Sequence, residues 1–156
     1  MKEKAADLEY ELADKFEGYP HIDKVKDKNL SNIAISVVAD YLEPFNSLWN
    51  YDESTGFYKR TRNNKPEIDK DNNMQVEASV IVLMETKSAF LRDQYINVNV
   101  QGEGVVKVYQ GGVSITGKWK KDPTKLDSKL FFYDSKDEEI KFLAGRIWVQ
   151  IVPNRL

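Results

Sequence analysis

The strongest constraint on the fold is a series of short segments in which apolar and polar residues alternate with a period of two. In the clearest of them, the inward positions are Val113, Ile115, Gly117 and Trp119, and Lys118 is among the polar residues between them. This alternation is typical of a β-strand with one buried face, because successive side chains point to opposite sides of the sheet. The sequence therefore predicts a domain built mainly from such strands.

Glycine-containing turns separate these segments and predict antiparallel hairpins. Gly111 and Gly112 form a two-residue turn of the type that needs positive φ angles. Gly56 closes a five-residue loop between two aromatic runs, which is a second hairpin signal. Gly102 and Gly104 are predicted to bracket a further turn.

One segment differs from the alternating ones, because it is apolar at nearly every position. It runs from Ala78 to Met84. An uninterrupted apolar run of this length predicts a strand that is covered on both faces and therefore lies in the middle of its sheet.

An amphipathic helix is predicted at the N-terminus, where Leu8, Leu12 and Phe16 recur at four-residue steps among charged residues. A glycine and a proline follow and end it. We therefore predict an α+β domain with a mainly antiparallel, strongly curved or barrel-like β-sheet and one N-terminal amphipathic helix. Residues 1–32 form the helix and a connector, and residues 33–156 form the β-rich domain.

Residue counts exclude several classes of function. The 156 residues include 23 basic and 25 acidic ones, give a net charge of −2, and contain one histidine and no cysteine. Without cysteine there is no thiolate nucleophile and no zinc ribbon, and the balanced charge argues against a general nucleic-acid binder. The loop Asp69–Asn73 begins like a calcium loop, but Met74 and Val80 stand where glycine and glutamate are needed. We expect no metal and no cofactor.

No motif of a catalytic site is present, so we predict no catalytic residue and a noncatalytic protein. His21 lies in a charged connector, which is typical of a surface histidine. A carbohydrate-active enzyme stays open as an alternative, because it needs only two carboxyl groups about 5–10 Å apart.

The predicted interaction surface combines lysines with one tryptophan. Lys118, Lys120 and Lys121, with Lys107 on a neighbouring strand, form the most concentrated basic patch, and Trp148 is the best candidate for an exposed aromatic. Outward lysines are also typical of a solvated strand that resists aggregation. The patch is therefore read either as a binding surface for an anionic partner or as a solvated edge.

Four stretches together resemble a known family: YDESTGFYKR, KPEIDKDNNMQVEASVIVLMETK, QGEGVVKVYQGGVSITGKWKK and FFYDSKDEEIKFLAGRIWVQIVP. They are similar to the C-terminal domain of the YerB-like lipoproteins of Gram-positive bacteria, a domain of unknown function (domain of unknown function 3048). Two loops depart from the family pattern: Ala144 replaces a proline, and residues 135–137 replace a glycine turn. The family supplies no established catalytic residue to carry over.

The resemblance implies a location on the outer side of the cytoplasmic membrane, reached through a lipid tether. Relatives carry a signal peptide, a lipid-bearing cysteine and a further N-terminal domain, so we expect this chain to be a fragment or a truncated relative. We predict a noncatalytic binding or scaffold module of a cell-envelope lipoprotein. Its partner is expected to be a protein or an anionic envelope polymer, with no nucleic acid and no membrane contact beyond the missing anchor. An intracellular protein-interaction domain is the remaining alternative.

Overall fold

The computed structural model describes residues 18–25, 33–39, 46–92 and 95–154. Within these ranges the chain forms strands and no helix. The strands are β1 (His21–Ile22), β2 (Ser36–Ala39), β3 (Ser47–Asp52), β4 (Phe57–Arg62), β5 (Lys65–Pro66), β6 (Glu77–Ala78), β7 (Val80–Arg92), β8 (Tyr95–Val98), β9 (Gly102–Gln110), β10 (Val113–Lys121), β11 (Phe131–Tyr133), β12 (Phe142–Leu143) and β13 (Ile147–Asn154).

The central sheet has the strand order β11-β10-β9-β7-β13, and β8 pairs with the far end of β7. Its pairs are antiparallel except for β13, which runs parallel to β7 from Ile147 opposite Val80 to Asn154 opposite Lys87. The predicted glycine turn joins β9 to β10, with φ angles of 58° at Gly111 and 78° at Gly112. This hairpin prediction is confirmed.

A second sheet has the order β2-β3-β4-β5, with β6 also paired to β4. The aromatic hairpin predicted around Gly56 is its β3–β4 pair. A two-stranded parallel pair, β1 with β12, lies apart from both sheets. Strand β1 comes from the segment predicted as a connector, and its pairing with β12 attaches that segment to the domain. Next to it, Tyr19 packs against the rings of Phe132 and Phe142.

Strand β7 supplies two cores from its two faces, because its residues are apolar in both phases. Val80, Val82 and Met84 belong to a first core, and Ile81 and Leu83 to a second. The predicted central position of this strand is confirmed. The other buried members of the first core are Val106, Val108, Trp119, Phe132, Ile140 and Phe142. Those of the second are Val37, Trp49, Tyr58 and Ala78.

The prediction of an α+β class with a strongly curved or barrel-like sheet is wrong. The described residues are all-β, and none of their sheets closes on itself. The physical reason lies in β7: a barrel gives its sheet one interior, whereas the two apolar faces of β7 are each covered by a separate layer of chain. The amphipathic helix predicted around Leu8, Leu12 and Phe16 lies outside the described residues.

A second correction concerns Gly104, which was predicted to bracket a turn and lies within β9. Its cross-strand partner is Trp119, and a Cβ atom at Gly104 would lie 2.6 Å from the indole nitrogen. The glycine therefore makes room for a buried indole, whose Nε1–H donates to the backbone oxygen of Glu85 at 2.7 Å.

The second sheet covers only part of the central one. Its core residues contact the β7 and β13 side, through Ile81, Leu83 and Trp148. On the same side of the sheet, Val105 and Lys107 of β9 remain exposed. Among the described residues, no further layer covers the part of β9, β10 and β11 beyond Tyr109, which itself packs against the second core.

Candidate functional site

The open face of β9–β11 carries three of the four predicted lysines, and we call it the lysine face. It consists of Lys107, Lys118, Lys120, Phe131 and Tyr133. The pairing register places these residues on one side, because Lys118 lies opposite Tyr133 and Lys120 opposite Phe131. Lys107 joins them from β9, where it lies opposite the β10 residue two positions before Lys118.

Two aromatic rings lie among these lysines. Phe131 and Tyr133 are stacked with ring centroids 6.1 Å apart and an interplanar angle of 22°. The Lys120 ammonium lies 5.6 Å from the Tyr133 centroid, and that of Lys129 lies 4.7 Å from the Phe131 centroid. The surface therefore presents cations together with half-buried π faces. Sequence reasoning missed both aromatics, although β-strand alternation in the run 131–133 places them on one side.

One ion pair reduces the positive charge of the lysine face. Lys118 Nζ lies 2.5 Å from the carboxylate of Asp137. This contact lowers the pKa of Asp137, chiefly through the hydrogen bond from Lys118, and raises the pKa of Lys118 by the same bond. Within the described ranges no ion pair involves Lys107 or Lys120. Glu103 is exposed directly opposite Lys120 on the same face, so its carboxylate offsets part of the positive charge that Lys107 and Lys120 offer to an anionic ligand.

The fourth predicted lysine, Lys121, lies on the opposite side of the sheet. It is paired with Gly102, one register position after the Lys120–Glu103 pair, so its side chain points to the other face. Its Nζ donates to the backbone oxygen of Ser128 at 2.5 Å. The predicted patch of four lysines is therefore a group of three, and strand alternation separates the fourth.

Trp148, the predicted exposed aromatic, is half-buried. The guanidinium of Arg60 lies 4.8 Å from its ring centroid, and Trp49 packs against it at 5.1 Å with an interplanar angle of 61°. The more exposed face of β13 carries Val149 and Ile151, at 39% and 37% exposure. The second sheet accounts for this arrangement, because it covers the side of β13 that carries the tryptophan.

The accessible part of Trp148 lines a cleft of about 480 Å³, which we call the Trp148 cleft. The cleft lies between the loop from Glu67 to Glu77 and the beginning of β13. Its lining residues are Glu67, Ile68, Asp69, Asn72, Met74, Gln75, Val76, Glu77, Ala78, Arg146, Ile147 and Trp148.

Two of the three carboxylates that line this cleft are engaged by arginines. Glu67 contacts Arg60 at 2.8 Å and Arg62 at 3.2 Å, and Glu77 contacts Arg146 at 3.3 Å. In the described part of the chain, no three His, Asp or Glu side chains gather as a metal site would require. The described residues also include no helix that could span a membrane.

The comparisons with known proteins concern both sequence and fold. The family model described as the C-terminal domain of proteins of unknown function DUF3048 matches residues 35–149. The fold is similar to the crystal structure of YerB from Bacillus subtilis, with a TM-score of 0.71 and 22% sequence identity over 98% of this chain. The match covers 50% of that protein, so the chain spans half the length of this relative. A comparison with curated proteins finds no match.

Proposed function

Because the chain belongs to the family of DUF3048 C-terminal domains, whose function is unknown, we propose that it is a noncatalytic binding or scaffold module. Its ligand is an anionic polymer of the bacterial cell envelope, and the lysine face is its binding surface. One observation carries this proposal: Lys120 lies beside the stacked rings of Phe131 and Tyr133, and Lys107 lies two strands away on the same sheet face, which no other described strand covers.

The chemistry of this face suits a chain of repeated negative charges. Lysine ammonium groups on an open sheet attract phosphate or carboxylate groups without enclosing them, and aromatic faces contact the apolar parts between the charges. A few cations on a protein with a net charge of −2 favour a local patch over general nucleic-acid binding. Presentation at the cell envelope is part of the proposal and follows from the family resemblance.

The ion pairs of the Trp148 cleft support the noncatalytic part of the proposal. A glycosidase needs one carboxyl group that carries a proton and a second that is free to act on the sugar. Here Glu67 is held by two arginines and Glu77 by one. The third lining carboxylate, Asp69, accepts hydrogen bonds from the backbone N–H of Asp71 and the side-chain amide of Asn72. These contacts use the carboxylates to build the wall of the cleft.

The test is co-sedimentation with purified Gram-positive cell wall, before and after its phosphate-containing polymers are extracted. The full chain should sediment with intact wall at low salt. Binding should weaken steeply as salt rises, because exposed charges are screened beyond about 8 Å at physiological ionic strength. The chain should not sediment with extracted wall, because extraction removes the proposed ligand. No reducing sugar should appear in the supernatant.

The variant Lys107→Glu with Lys120→Glu should weaken this binding at least tenfold. The matched control is Lys65→Glu with Lys141→Glu, which changes two exposed lysines elsewhere by the same charge and should retain most of the binding. Equal binding by both double variants would exclude the lysine face as the binding surface for the polymer. Release of reducing sugar would show that the protein is an enzyme and contradict the proposed noncatalytic function.

A further inference from the structure

We propose that the Trp148 cleft is a second binding site and that it takes a neutral saccharide, of one or two sugar rings. This site is separate from the lysine face, and its ligand binds independently of the anionic polymer. The volume of about 480 Å³ lies within the range of small-molecule sites, about 300–1,000 Å³.

The indole of Trp148 is fixed in place before any ligand arrives. Arg60 lies between two tryptophans, 5.5 Å from the Trp49 centroid and 4.8 Å from that of Trp148, and its guanidinium is held by Glu67 at 2.8 Å. Because its contacts hold the Arg60 guanidinium in place, the guanidinium in turn restricts the position of the Trp148 indole. Arg60 lies over this ring, so the part of the indole that lines the cleft is a preorganised apolar surface against which C–H groups of a sugar can pack.

Beside this ring lies a polar pair with unused hydrogen-bonding capacity. Arg146 donates to Oε1 of Glu77 at 3.3 Å, and the arginine side chain is 67% exposed. A guanidinium has five N–H donors and a carboxylate has about four acceptor positions, so both groups can bind further partners. An adjacent donor and acceptor match two neighbouring hydroxyl groups, each of which can donate and accept.

The charges of the lining disfavour an anionic sugar. The lining carries three carboxylates, of Glu67, Asp69 and Glu77. Arg60 and Arg62 contact Glu67, and Arg146 contacts Glu77, so the charges at the cleft balance. A uronic acid or a sugar phosphate would find no excess positive charge at this site. The ligand class is therefore a neutral saccharide, in contrast to the anionic ligand proposed for the lysine face.

The backbone of the cleft loop disfavours an extended peptide added as a strand. The N–H of Glu67 donates to the oxygen of Arg60, that of Asp69 to the oxygen of Met74, and that of Val76 to the oxygen of Glu67. Strand addition needs a row of unpaired backbone groups. These donors are already used within the loop, so recognition falls to side chains, as it does for sugars.

The experiment is a titration of the isotope-labelled full chain with maltose, cellobiose and N,N′-diacetylchitobiose, followed by the NMR signals of the indole N–H groups. At least one of these disaccharides should shift the Trp148 signal saturably and leave that of Trp119, which lies in the first core, in place. Glucuronic acid should not compete. The absence of a saturable shift with all three disaccharides, or tighter binding of glucuronic acid, would overturn the proposal.

Surface variants avoid the loss of packing that replacement of Trp148 would cause. Arg146→Ala removes the donor of the polar pair and Glu77→Ala removes its acceptor, and each should weaken the affinity about tenfold, with an unchanged dispersion of amide signals. The double variant Lys107→Glu with Lys120→Glu should bind the disaccharide normally, so failure of this proposal is distinguishable from failure of the lysine face. Unchanged affinity in both single variants would refute the polar pair as a ligand contact.

Discussion

The lysine face and the Trp148 cleft lie on the same side of the central sheet but are supported in different ways. Lys107 is paired with Leu83 and Trp148 with Ile81, and both of these β7 residues belong to the second core. On the lysine face, the side chain between Lys118 and Lys120, that of Trp119, points away into the first core. In the cleft, the candidate binding aromatic itself packs against the second core.

This difference determines how far binding can be separated from stability. The lysines can be exchanged while Trp119 keeps its packing and its hydrogen bond to Glu85. In the cleft, Trp148 contacts Arg60 and Trp49, so a change that removes its contact surface also disturbs the core. Three further changes test the comparison, in order of decreasing effect.

The largest effect is expected for Arg60→Met, which keeps an apolar stem and removes the charge between the two tryptophans. Arg60 is almost fully buried and is paired with Glu67. Arg62 still contacts Glu67 in the variant, but the buried ion pair and the contacts of the guanidinium with two indoles are lost, so the free energy of unfolding should fall by about 2 kcal/mol. Urea denaturation measures it.

The matched control is Lys118→Met, which also replaces a basic side chain with methionine and breaks an ion pair. The broken pair is that of Lys118 with Asp137 on the lysine face. Its urea midpoint should stay that of the unaltered chain, because both partners are well exposed to solvent. If Arg60→Met is as harmless as this control, then the cleft is no more tightly coupled to stability than the lysine face.

The second core should also respond to high pH. Burial raises the pKa of Tyr58 well above its ordinary value, and its hydroxyl donates to the backbone oxygen of Ala34 at 3.3 Å. The unfolded chain therefore loses this proton first, near pH 10. The stability contribution is complete below that pH and should decrease above it by about 1.4 kcal/mol per pH unit.

Urea denaturation at a series of pH values from 8 upward (roughly the range where free tyrosines ionise) measures this decrease. Tyr58→Phe should remove the largest part of it, while the raised pKa values of Tyr19 and Tyr109, both caused mainly by burial, leave a remainder. An identical pH dependence in this variant would show that the hydroxyl ionises freely in the folded protein.

The smallest effect is expected for Asp137→Asn on the lysine face. The substitution releases Lys118 and removes one negative charge, so retention on cell wall should increase about two- to fivefold. Asp137 has a φ of 63°, a conformation that asparagine adopts readily, so the loop should keep its shape. Weaker retention would mean that Asp137 positions Lys118 for the ligand.

Particular residues explain how much could be predicted. The hairpin at Gly111–Gly112, the burial of Trp119 and the outward direction of Lys118 and Lys120 all follow from local turn geometry and a period of two. The position of Gly104 was predicted incorrectly, because the indole that requires a glycine there comes from the neighbouring strand. Local sequence contains no signal of that contact.

The lysine face and the Trp148 cleft also differ in how far local sequence predicts them. Most of the lysine face could be predicted, since two of its lysines alternate within one strand. The Trp148 cleft could not, because it joins Arg60 of β4, Glu67 of a loop and Trp148 of β13. The exposure of Trp148 was predicted from its phase along β13, and the phase alone does not say which of two apolar faces another sheet will cover.

The sequence by itself determined the strands, the turns and the alternation of faces, because these depend on backbone preferences and on the side-chain period along each strand. Only the tertiary structure decided that β13 runs parallel beside β7, that the second sheet covers the side of β13 that carries Trp148, and that no described strand covers the lysine face. These outcomes depend on burial of apolar surface between segments distant in the chain, which is non-directional and leaves no local pattern.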